Sequence, residues 1–388
     1  MLPKSTGSGA PKEPEALAGA VLVEDKGAFD EVLFQYVPKL EFVVAEAYQD
    51  FLGTLDPSTK LVAVIPSSSA RDGGPHVDST DAANALKKLL ARIDPSGALE
   101  RRTRIVETGG PISVWSKDRA LVMGPFTSSP RTGLLIPVPP DPKWIERAND
   151  WHTLASVAQA MPDRYYVHEL PLSFDAGDFA VTGKRVLVDI NLFVKNRPRG
   201  VTSADSLKEL LGKLLNREIV LLGKEDGDVP RHHMSMYMAP LDDVLLVGDP
   251  KAAIPIVGAD YAPGELCPET GEPLKADFSD AMMQRYEVAT RELGAVGYRV
   301  VRIPTVPFDD KTYFAYTNGL YETRDGKKIA WVPQFAKTDG TDAAVSKLDA
   351  VARDVYTSLG WEVRPVRVRA AYAYHGTIGC LANVLARH

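Results

Sequence analysis

The sequence has few cysteines, no long apolar run and no concentration of basic residues. Only Cys267 and Cys380 occur among its 388 residues. Two cysteines cannot build a disulfide framework, and they form no Cys-x-x-Cys zinc motif, so a reducing compartment such as the cytoplasm is expected. No segment reaches about 18 consecutive apolar residues, so no membrane span is expected. The net charge of −6, without a basic stripe, argues against a nucleic-acid partner.

The overall composition is typical of a soluble globular enzyme, with 45% hydrophobic and 25% charged residues. The length would allow two or three domains, but a closed repeat architecture of this size can form one unit. The negative charge is compatible with a cationic small molecule as the binding partner. Residues 1–20 begin with a stretch rich in Gly, Pro, Ser and Lys, and we expect a disordered tail there. The sequence leaves the oligomeric state open.

Helical and strand patterns alternate over residues 21–388 and predict an α/β domain. Helices are predicted to begin near residues 79, 142, 203, 279 and 345. Strands are predicted at 61–65, 186–188, 219–222, 244–247, 300–303, 329–332 and 361–368. The resulting helix-then-strand units differ in sequence, so any repeat among them is architectural. The Pro- and Gly-rich segment 249–278 interrupts the pattern and is predicted to be an inserted loop.

Four short segments beside predicted strands carry side chains capable of chemistry. Their polar residues are Asp118, Asp175, His233 and Cys380. The intervals from Asp118 to Asp175 and from Asp175 to His233 are nearly equal, at 57 and 58 residues. In a repeat architecture, such spacing brings equivalent positions of successive units together. Two carboxylates, an imidazole and a thiol would then meet at the centre of a ring.

Each segment also has an ordinary structural interpretation. An Asp beside a strand is usually a turn or capping residue, and a lone Cys is usually a small buried hydrophobic side chain. The glycines at 376 and 379 favour a functional role for Cys380, because glycine lets a ligand approach the backbone closely. The functional interpretation therefore depends on all four segments together.

Together the four segments resemble the motifs of the guanidine-modifying branch of the pentein superfamily. That branch includes arginine and agmatine deiminases, dimethylarginine dimethylaminohydrolases and amidinotransferases. Residues 115–118, Trp-Ser-Lys-Asp, resemble the pattern Trp-x-Arg-Asp, and residues 175–178, Asp-Ala-Gly-Asp, resemble Glu-Gly-Gly-Asp or Glu-Gly-Gly-Asn. His233 lies where the family has His-x-Asp, and residues 376–380, Gly-Thr-Ile-Gly-Cys, resemble the segment that ends in the nucleophilic Cys. The resemblance implies a cyclic propeller of five ββαβ-type modules.

The sequence departs from the family patterns at four positions. Lys117 replaces the usual Arg, Asp175 replaces a longer Glu, and Ala176 replaces a Gly. Ser235 stands where deiminases usually have a second Asp that binds the guanidinium. Dimethylarginine-type enzymes also lack that Asp, so its absence is compatible with catalysis but argues against free arginine as the substrate.

The resemblance implies a hydrolase that acts on the C–N bond of a guanidino compound through a covalent thiouronium on cysteine. It implies Cys380 as the nucleophile, His233 as the general acid and base, and carboxylates that bind the guanidinium at Asp118 and Asp175. Further residues expected to line the substrate are Trp115, Ser235 and Asn318. The resemblance implies no metal and no organic cofactor.

Several alternatives remain open from the sequence. If an amine replaces water in the second step, the enzyme is an amidinotransferase. Because four motif positions are altered, a degenerate pentein that only binds its partner is a further alternative. A zinc hydrolase using His232 and His233 is disfavoured, since adjacent residues rarely present both imidazoles to one ion. Cys267 lies in the Pro-rich segment without a nearby base and is interpreted as structural, and the roles of His232 and His375 stay unassigned.

Overall fold

The structure is a computed structural model that describes residues 21–67, 79–124, 131–139 and 150–388. The predicted tail over 1–20 lies outside the described residues, and so does the start of the helix predicted near 142. Within the described part of the chain, no helix combines the length and the apolar character that crossing a bilayer requires.

Strands and helices alternate along the described residues. The strands are β1 (Phe29–Gln35), β2 (Lys60–Pro66), β3 (Thr103–Thr108), β4 (Leu121–Met123), β5 (Thr132–Ile136), β6 (Tyr165–Glu169), β7 (Ala180–Val181), β8 (Arg185–Asp189), β9 (Glu218–Leu222), β10 (Met238–Leu241), β11 (Val244–Asp249), β12 (Arg299–Pro304), β13 (Val306–Pro307), β14 (Tyr313–Phe314), β15 (Leu320–Arg324), β16 (Lys327–Gln334), β17 (Glu362–Arg367) and β18 (Ala382–Arg387). The helices are α1 (Glu41–Leu52), α2 (Ser79–Ile93), α3 (Ala98–Arg101), α4 (Asp150–Ala160), α5 (Ile190–Asn196), α6 (Ala204–Leu215), α7 (Pro250–Val257), α8 (Asp280–Ala295), α9 (Ala343–Ser358), α10 (Arg369–Tyr372) and α11 (Ile378–Leu381).

One pairing pattern recurs in the sheets of the described residues. In four sheets, an antiparallel pair of strands is followed by a parallel strand: β4-β5-β6, β7-β8-β9, β10-β11-β12 and β15-β16-β17. The short pair β13-β14 is antiparallel and has no third strand in the described part of the chain. The fifth sheet, β18-β1-β2-β3, repeats the pattern with one added strand and joins the two ends of the described chain, with Leu33 opposite Asn383. A parallel neighbour requires a crossover, and helices supply it between the second and third strands.

Capping residues set the helix boundaries that the sequence predicts. Ser203 and Ser279 accept hydrogen bonds from the first turns of α6 and α8, which begin one residue later. Helix α1 is not among the predicted helices. Segment 249–278, predicted as an inserted loop, begins with α7, because Asp249 caps the helix and Pro250 occupies its first position. A loop over 258–279 follows it.

The candidate functional residues occupy equivalent places in the repeated sheets. Each lies just before the strand that opens a sheet: Asp118 before β4, Asp175 before β7, His233 before β10, Asn318 before β15 and Cys380 before β18. This shared position accounts for the nearly equal sequence intervals between the first three residues. It also explains why side chains separated by hundreds of residues can converge on one site.

Candidate active site

Cys380 lies in the one-turn helix α11 and is almost fully buried, with 3% of its surface exposed. The turn is anchored on Asn318, whose carbonyl accepts hydrogen bonds from the Thr377 hydroxyl (2.7 Å) and the Gly379 N–H (3.1 Å). A Cβ on Gly379 would lie 2.0 Å from Oδ1 of Asn318, so only glycine allows this approach. The glycine beside the thiol therefore lets Asn318 reach it.

The Asn318 side chain contacts the thiol directly. Its Nδ2 lies 3.0 Å from Sγ of Cys380 and 2.8 Å from Sδ of Met236. An amide N–H can only donate, so Asn318 stabilises negative charge on the sulfur. Asn318, which the sequence predicts to line the site, thus contacts the sulfur of the candidate nucleophile.

His233 is buried between two carboxylates. Its Nδ1 lies 3.9 Å from Oδ1 of Asp118, and its Nε2 lies 3.6 Å from Oδ2 of Asp175. Burial alone would lower the pKa of His233, but the two negative charges outweigh it and raise that pKa well above its usual value. The imidazole is therefore held in its charged form. A Cβ on Gly177 would lie 2.5 Å from the imidazole ring, so a glycine is also required here.

Asp118 completes a group of three with His233 and Cys380. One ligand-type atom of each residue lies within 4.8 Å of the other two. Backbone hydrogen bonds fix the segment that carries Asp118: the Lys117 N–H donates to the Cys380 carbonyl (3.2 Å), and the Ala176 N–H donates to the Asp118 carbonyl (2.9 Å). Three of the segments predicted from the sequence are thereby tied together through the main chain.

Asp175 contacts three cationic groups. Besides His233, Nη1 of Arg119 lies 3.3 Å from Oδ1, and Nζ of Lys195 lies 3.2 Å from Oδ2. Burial would raise the pKa of Asp175, but the charge of Lys195 and the contact with His233 lower it well below its usual value. Both oxygens of Asp175 therefore face cations of the chain, and the expected contact of Asp175 with a guanidinium stays a prediction.

Sequence reasoning missed Lys195 and Arg119. Arg119 directly follows Asp118, so its proximity to the site could have been inferred from the motif. Lys195 lies on α5, after β8, and contacts both Asp175 and Asp178, the latter at 2.6 Å. Nothing in the residue pattern indicates that a helix after the second strand of this sheet returns to the site.

Trp115 and Ser235 also lie close to the site. The partly buried Trp115 packs against an apolar cluster that contains Cys380 and Met236. Gly376 lies against the indole, because a Cβ there would be 2.4 Å from the ring. Ser235 is buried, its carbonyl accepts a hydrogen bond from Thr317, and its hydroxyl has no partner among the described residues.

His232 and His375 precede the segments that carry His233 and Cys380, and both have left-handed backbone conformations, with φ of 73° and 69°. The ring of His232 stacks on that of His233 at 4.1 Å and 14°, and its Nε2 lies 2.9 Å from the His375 carbonyl. Burial and the charge of His233 lower the pKa of His232 well below its usual value. Two parallel rings do not converge on one ion, which disfavours a zinc site built on this pair.

Two groups among the described residues have side chains close enough to hold a metal ion. One is Asp118, His233 and Cys380, and the other is Asp175, Asp178 and His233. Both use the charged His233, which would have to lose its proton to bind a metal. In the second group, the Lys195 ammonium already bridges the two carboxylates. The donor sets therefore fit a charged proton-transfer site better than a metal centre.

Cys267, the other cysteine, is buried in the loop over 258–279. Its N–H donates to the Glu272 carbonyl at 2.8 Å, and the residue packs into the largest apolar core cluster. The Glu269 carboxylate of the same loop lies 3.3 Å from Nε2 of His375. The loop therefore contacts the segment that leads to Cys380.

Comparisons with solved structures find agmatine deiminases whose fold resembles that of this chain. The agmatine deiminase of Enterococcus faecalis superimposes with a TM-score of 0.62 at 12% identity, over 95% of this chain and 96% of that one. A substrate-bound agmatine deiminase of C. jejuni gives 0.62 at 11% identity, over 94% and 95%. No family model matches the sequence, and no curated protein does either. The chain therefore has the mixed α/β fold of these agmatine deiminases.

Proposed function

We propose that this protein is a hydrolase that cleaves a C–N bond of a guanidino compound through a covalent intermediate on Cys380. The observation that carries the proposal is the convergence of Cys380, His233 and Asp118 within 4.8 Å. A thiol beside a protonated imidazole is the arrangement that generates a nucleophilic thiolate. A carboxylate beside that pair supplies the acceptor that a planar guanidinium needs.

In the first step, the Cys380 thiolate attacks the central guanidinium carbon and forms a C–S bond. The resulting tetrahedral adduct collapses when His233 donates its proton to the departing nitrogen, so that the C–N bond breaks. Ammonia or an amine leaves, and a thiouronium remains on the sulfur. The raised pKa of His233 fits this role, because the imidazole must carry the proton before the leaving group departs.

In the second step, the now neutral His233 takes a proton from water as the water oxygen attacks the thiouronium carbon. The C–S bond breaks, the electron pair returns to sulfur, the remaining proton of the added hydroxyl passes to the departed amine or to solvent water, and a ureido product leaves. Asn318, whose amide lies 3.0 Å from the sulfur, stabilises the thiolate both before attack and after release. The cycle restores the thiolate and the imidazolium, and every step uses only side chains of the site, water and the substrate.

The repeated sheets support a finer architectural proposal. We infer that the five sheets are modules of a cyclic α/β propeller, with the terminal strand β18 closing the ring onto β1. In this arrangement residues 21–388 form one catalytic domain, and the loop over 258–279 is an insertion at its active-site side. The equivalent position of the candidate residues before each opening strand is the observation that favours it.

The charge and the cysteine content support the remaining expectations. We propose a small guanidino compound, rather than a nucleic acid, as the binding partner, because the net charge is −6. A reducing compartment such as the cytoplasm is proposed because both cysteines are free thiols and the nucleophile must remain reduced.

The test is a screen of guanidino compounds with product identification by mass spectrometry. Arginine, agmatine, N-methylated arginines and guanidino acids are incubated with the protein, with and without a second amine. Hydrolysis predicts a ureido product in both conditions, whereas an amidinotransferase would give an amidino-amine only when the amine is present. Cys380→Ala is expected to abolish turnover, and Cys267→Ala serves as the matched control that retains it. Binding without turnover of any compound would indicate a degenerate pentein.

A further inference from the structure

Lys195 joins two carboxylates beside His233. Its Nζ lies 3.2 Å from Oδ2 of Asp175 and 2.6 Å from Oδ2 of Asp178. Asp178 in turn accepts a hydrogen bond from the Asp175 N–H at 2.9 Å, and the two residues form a reciprocal capping box. Charge-assisted hydrogen bonds of this kind are short and directional. The ammonium therefore fixes the carboxylate that faces the imidazole.

The backbone around Lys195 is clamped to the segment that carries Asp175. Asn196, the next residue, accepts a hydrogen bond from the Ser173 N–H and donates one to the Ser173 carbonyl, both at 2.8 Å. At the other end of α5, the Asp189 carboxylate caps the helix by accepting from the Asn191 N–H. Two hydrogen bonds thus join the helix to the Asp175 segment, and the ammonium contacts both carboxylates without a bound substrate.

Carboxylates and cations alternate around Cys380 in the part of the chain that the structure describes. The carboxylates are Asp118, Asp175 and Asp178, and the facing cations are Arg119, Lys195 and protonated His233, with His232 stacked on the latter and Asp189 next to Asp178. Removal of Lys195 would take away the ammonium that contacts both Asp175 and Asp178. The site would then hold one positive charge fewer beside the same carboxylates.

We propose that Lys195 is a positioning residue that holds Asp175 against His233 and keeps the Cys380 thiol in its thiolate form. The inference rests on the proposed function in assigning Cys380 as the nucleophile. Burial would lower the pKa of Lys195, but the charges of Asp178 and Asp175 outweigh it and raise that pKa above its usual value, so the ammonium stays charged. Asp175 then acts through His233, and Asp118 is the carboxylate that receives the guanidinium.

The test is the pH dependence of Cys380 alkylation by iodoacetamide, followed by peptide mass spectrometry. The reagent is neutral and reacts with the thiolate, so the profile reports thiolate formation without any substrate. In Lys195→Met, the midpoint is expected to rise by about one pH unit, because a nearby positive charge is lost. Lys195→Arg keeps the charge and should retain the original midpoint. Lys251→Met, at a surface lysine paired with Glu287, is the matched control and should leave the profile unchanged.

Lys195→Met could fold poorly, because Asp175 and Asp178 would lose the ammonium that contacts both of them. A second variant covers that case. Lys195→Met with Asp178→Asn removes one charge of each sign and restores the balance. We expect this double variant to return the alkylation midpoint toward that of the natural protein. An unchanged midpoint in Lys195→Met, a midpoint in the double variant that stays well above that of the natural protein, or an equal upward shift in Lys195→Arg would overturn the charge role of Lys195.

Turnover measurements on the same variants separate the two proposals. If no guanidino compound reacts but the midpoint shifts as expected, the hydrolase proposal fails and the role of Lys195 stands. If guanidino compounds are hydrolysed and the midpoint does not move in Lys195→Met, the role of Lys195 fails and the hydrolase proposal stands.

Discussion

The Nε2 atom of His233 lies 3.6 Å from Oδ2 of Asp175, while its Nδ1 faces Asp118 at 3.9 Å on the other edge of the ring. An imidazole with a carboxylate at each nitrogen is stabilised in its charged form, because each N–H of the cation points toward an acceptor. The two carboxylates are not equivalent. Asp175 forms ion pairs with Arg119 and Lys195, whereas a carboxylate oxygen of Asp118 lies within 4.8 Å of the Cys380 sulfur.

Replacement of Asp118 by Asn should weaken binding of a guanidino substrate or inhibitor. The guanidinium would lose its charged acceptor, and truncating one partner of a buried charge pair typically costs about 2–5 kcal/mol. Calorimetric titration of a guanidino inhibitor into both proteins measures the effect. Equal affinities would place the guanidinium elsewhere, and Asp56→Asn, at a distant turn carboxylate, controls for the loss of a negative charge.

Replacement of Asp175 by Asn should instead move the pH profile of activity. The carboxylate raises the pKa of His233, so its removal is expected to lower that pKa. Because the first step needs the imidazolium, activity is lost as pH rises through this pKa, and the alkaline limb of kcat/KM should move to lower pH. An alkaline limb at the same pH in both proteins would show that Asp175 does not act through His233.

Ser235→Asp should change substrate selectivity. The serine is buried and its hydroxyl has no partner among the described residues, so the site has a neutral donor and acceptor where deiminases usually have a carboxylate. We expect the natural protein to process an N-substituted guanidine, or one held mainly by its other end, better than free arginine. Ser235→Asp should reduce the ratio of kcat/KM for the N-substituted guanidine to kcat/KM for free arginine. The new carboxylate can accept a charged hydrogen bond from an unsubstituted guanidinium nitrogen, and such a bond contributes about 1.5–3 kcal/mol.

Values of kcat/KM for arginine, agmatine and a methylated arginine in both proteins provide the measurement. Ser206→Asp, at an exposed capping position on α6, is a control for adding a negative charge away from the site. A strong preference of the natural protein for free arginine would contradict this interpretation of Ser235.

The candidate residues of the site could be predicted from the sequence because each lies at the same place relative to a strand. Asp118, Asp175 and His233 each precede the strand that opens a sheet, so the regular spacing of the strands carries over to the functional residues. The contact between Asn318 and Cys380 follows from the same logic. Local patterns such as the Ser203 cap of α6 likewise indicate where helices begin.

The remaining features depend on tertiary contacts that no local pattern encodes. Lys195 stands 20 residues after Asp175 on a short helix, and the hydrogen bonds between Asn196 and Ser173 join that helix to the segment that leads to Asp175. The sequence motif predicts that Asp175 binds the substrate. Its contacts with Arg119 and Lys195 depend on side-chain packing, which the motif does not indicate. Helix α7 occupies the start of the predicted loop because a single capping residue, Asp249, initiates it.

The most direct test of the account is detection of the covalent intermediate. The protein is mixed with a substrate found in the screen, quenched with acid within a turnover, and analysed by intact mass and peptide mapping. The proposed mechanism predicts an adduct on Cys380 whose mass equals that of the substrate less the ammonia or amine that departs in the first step. Slowing the second step with heavy water should increase its amount, because a proton from water is transferred there. Turnover with no adduct on Cys380 under any quench condition, or an adduct on Cys267 instead, would contradict the account.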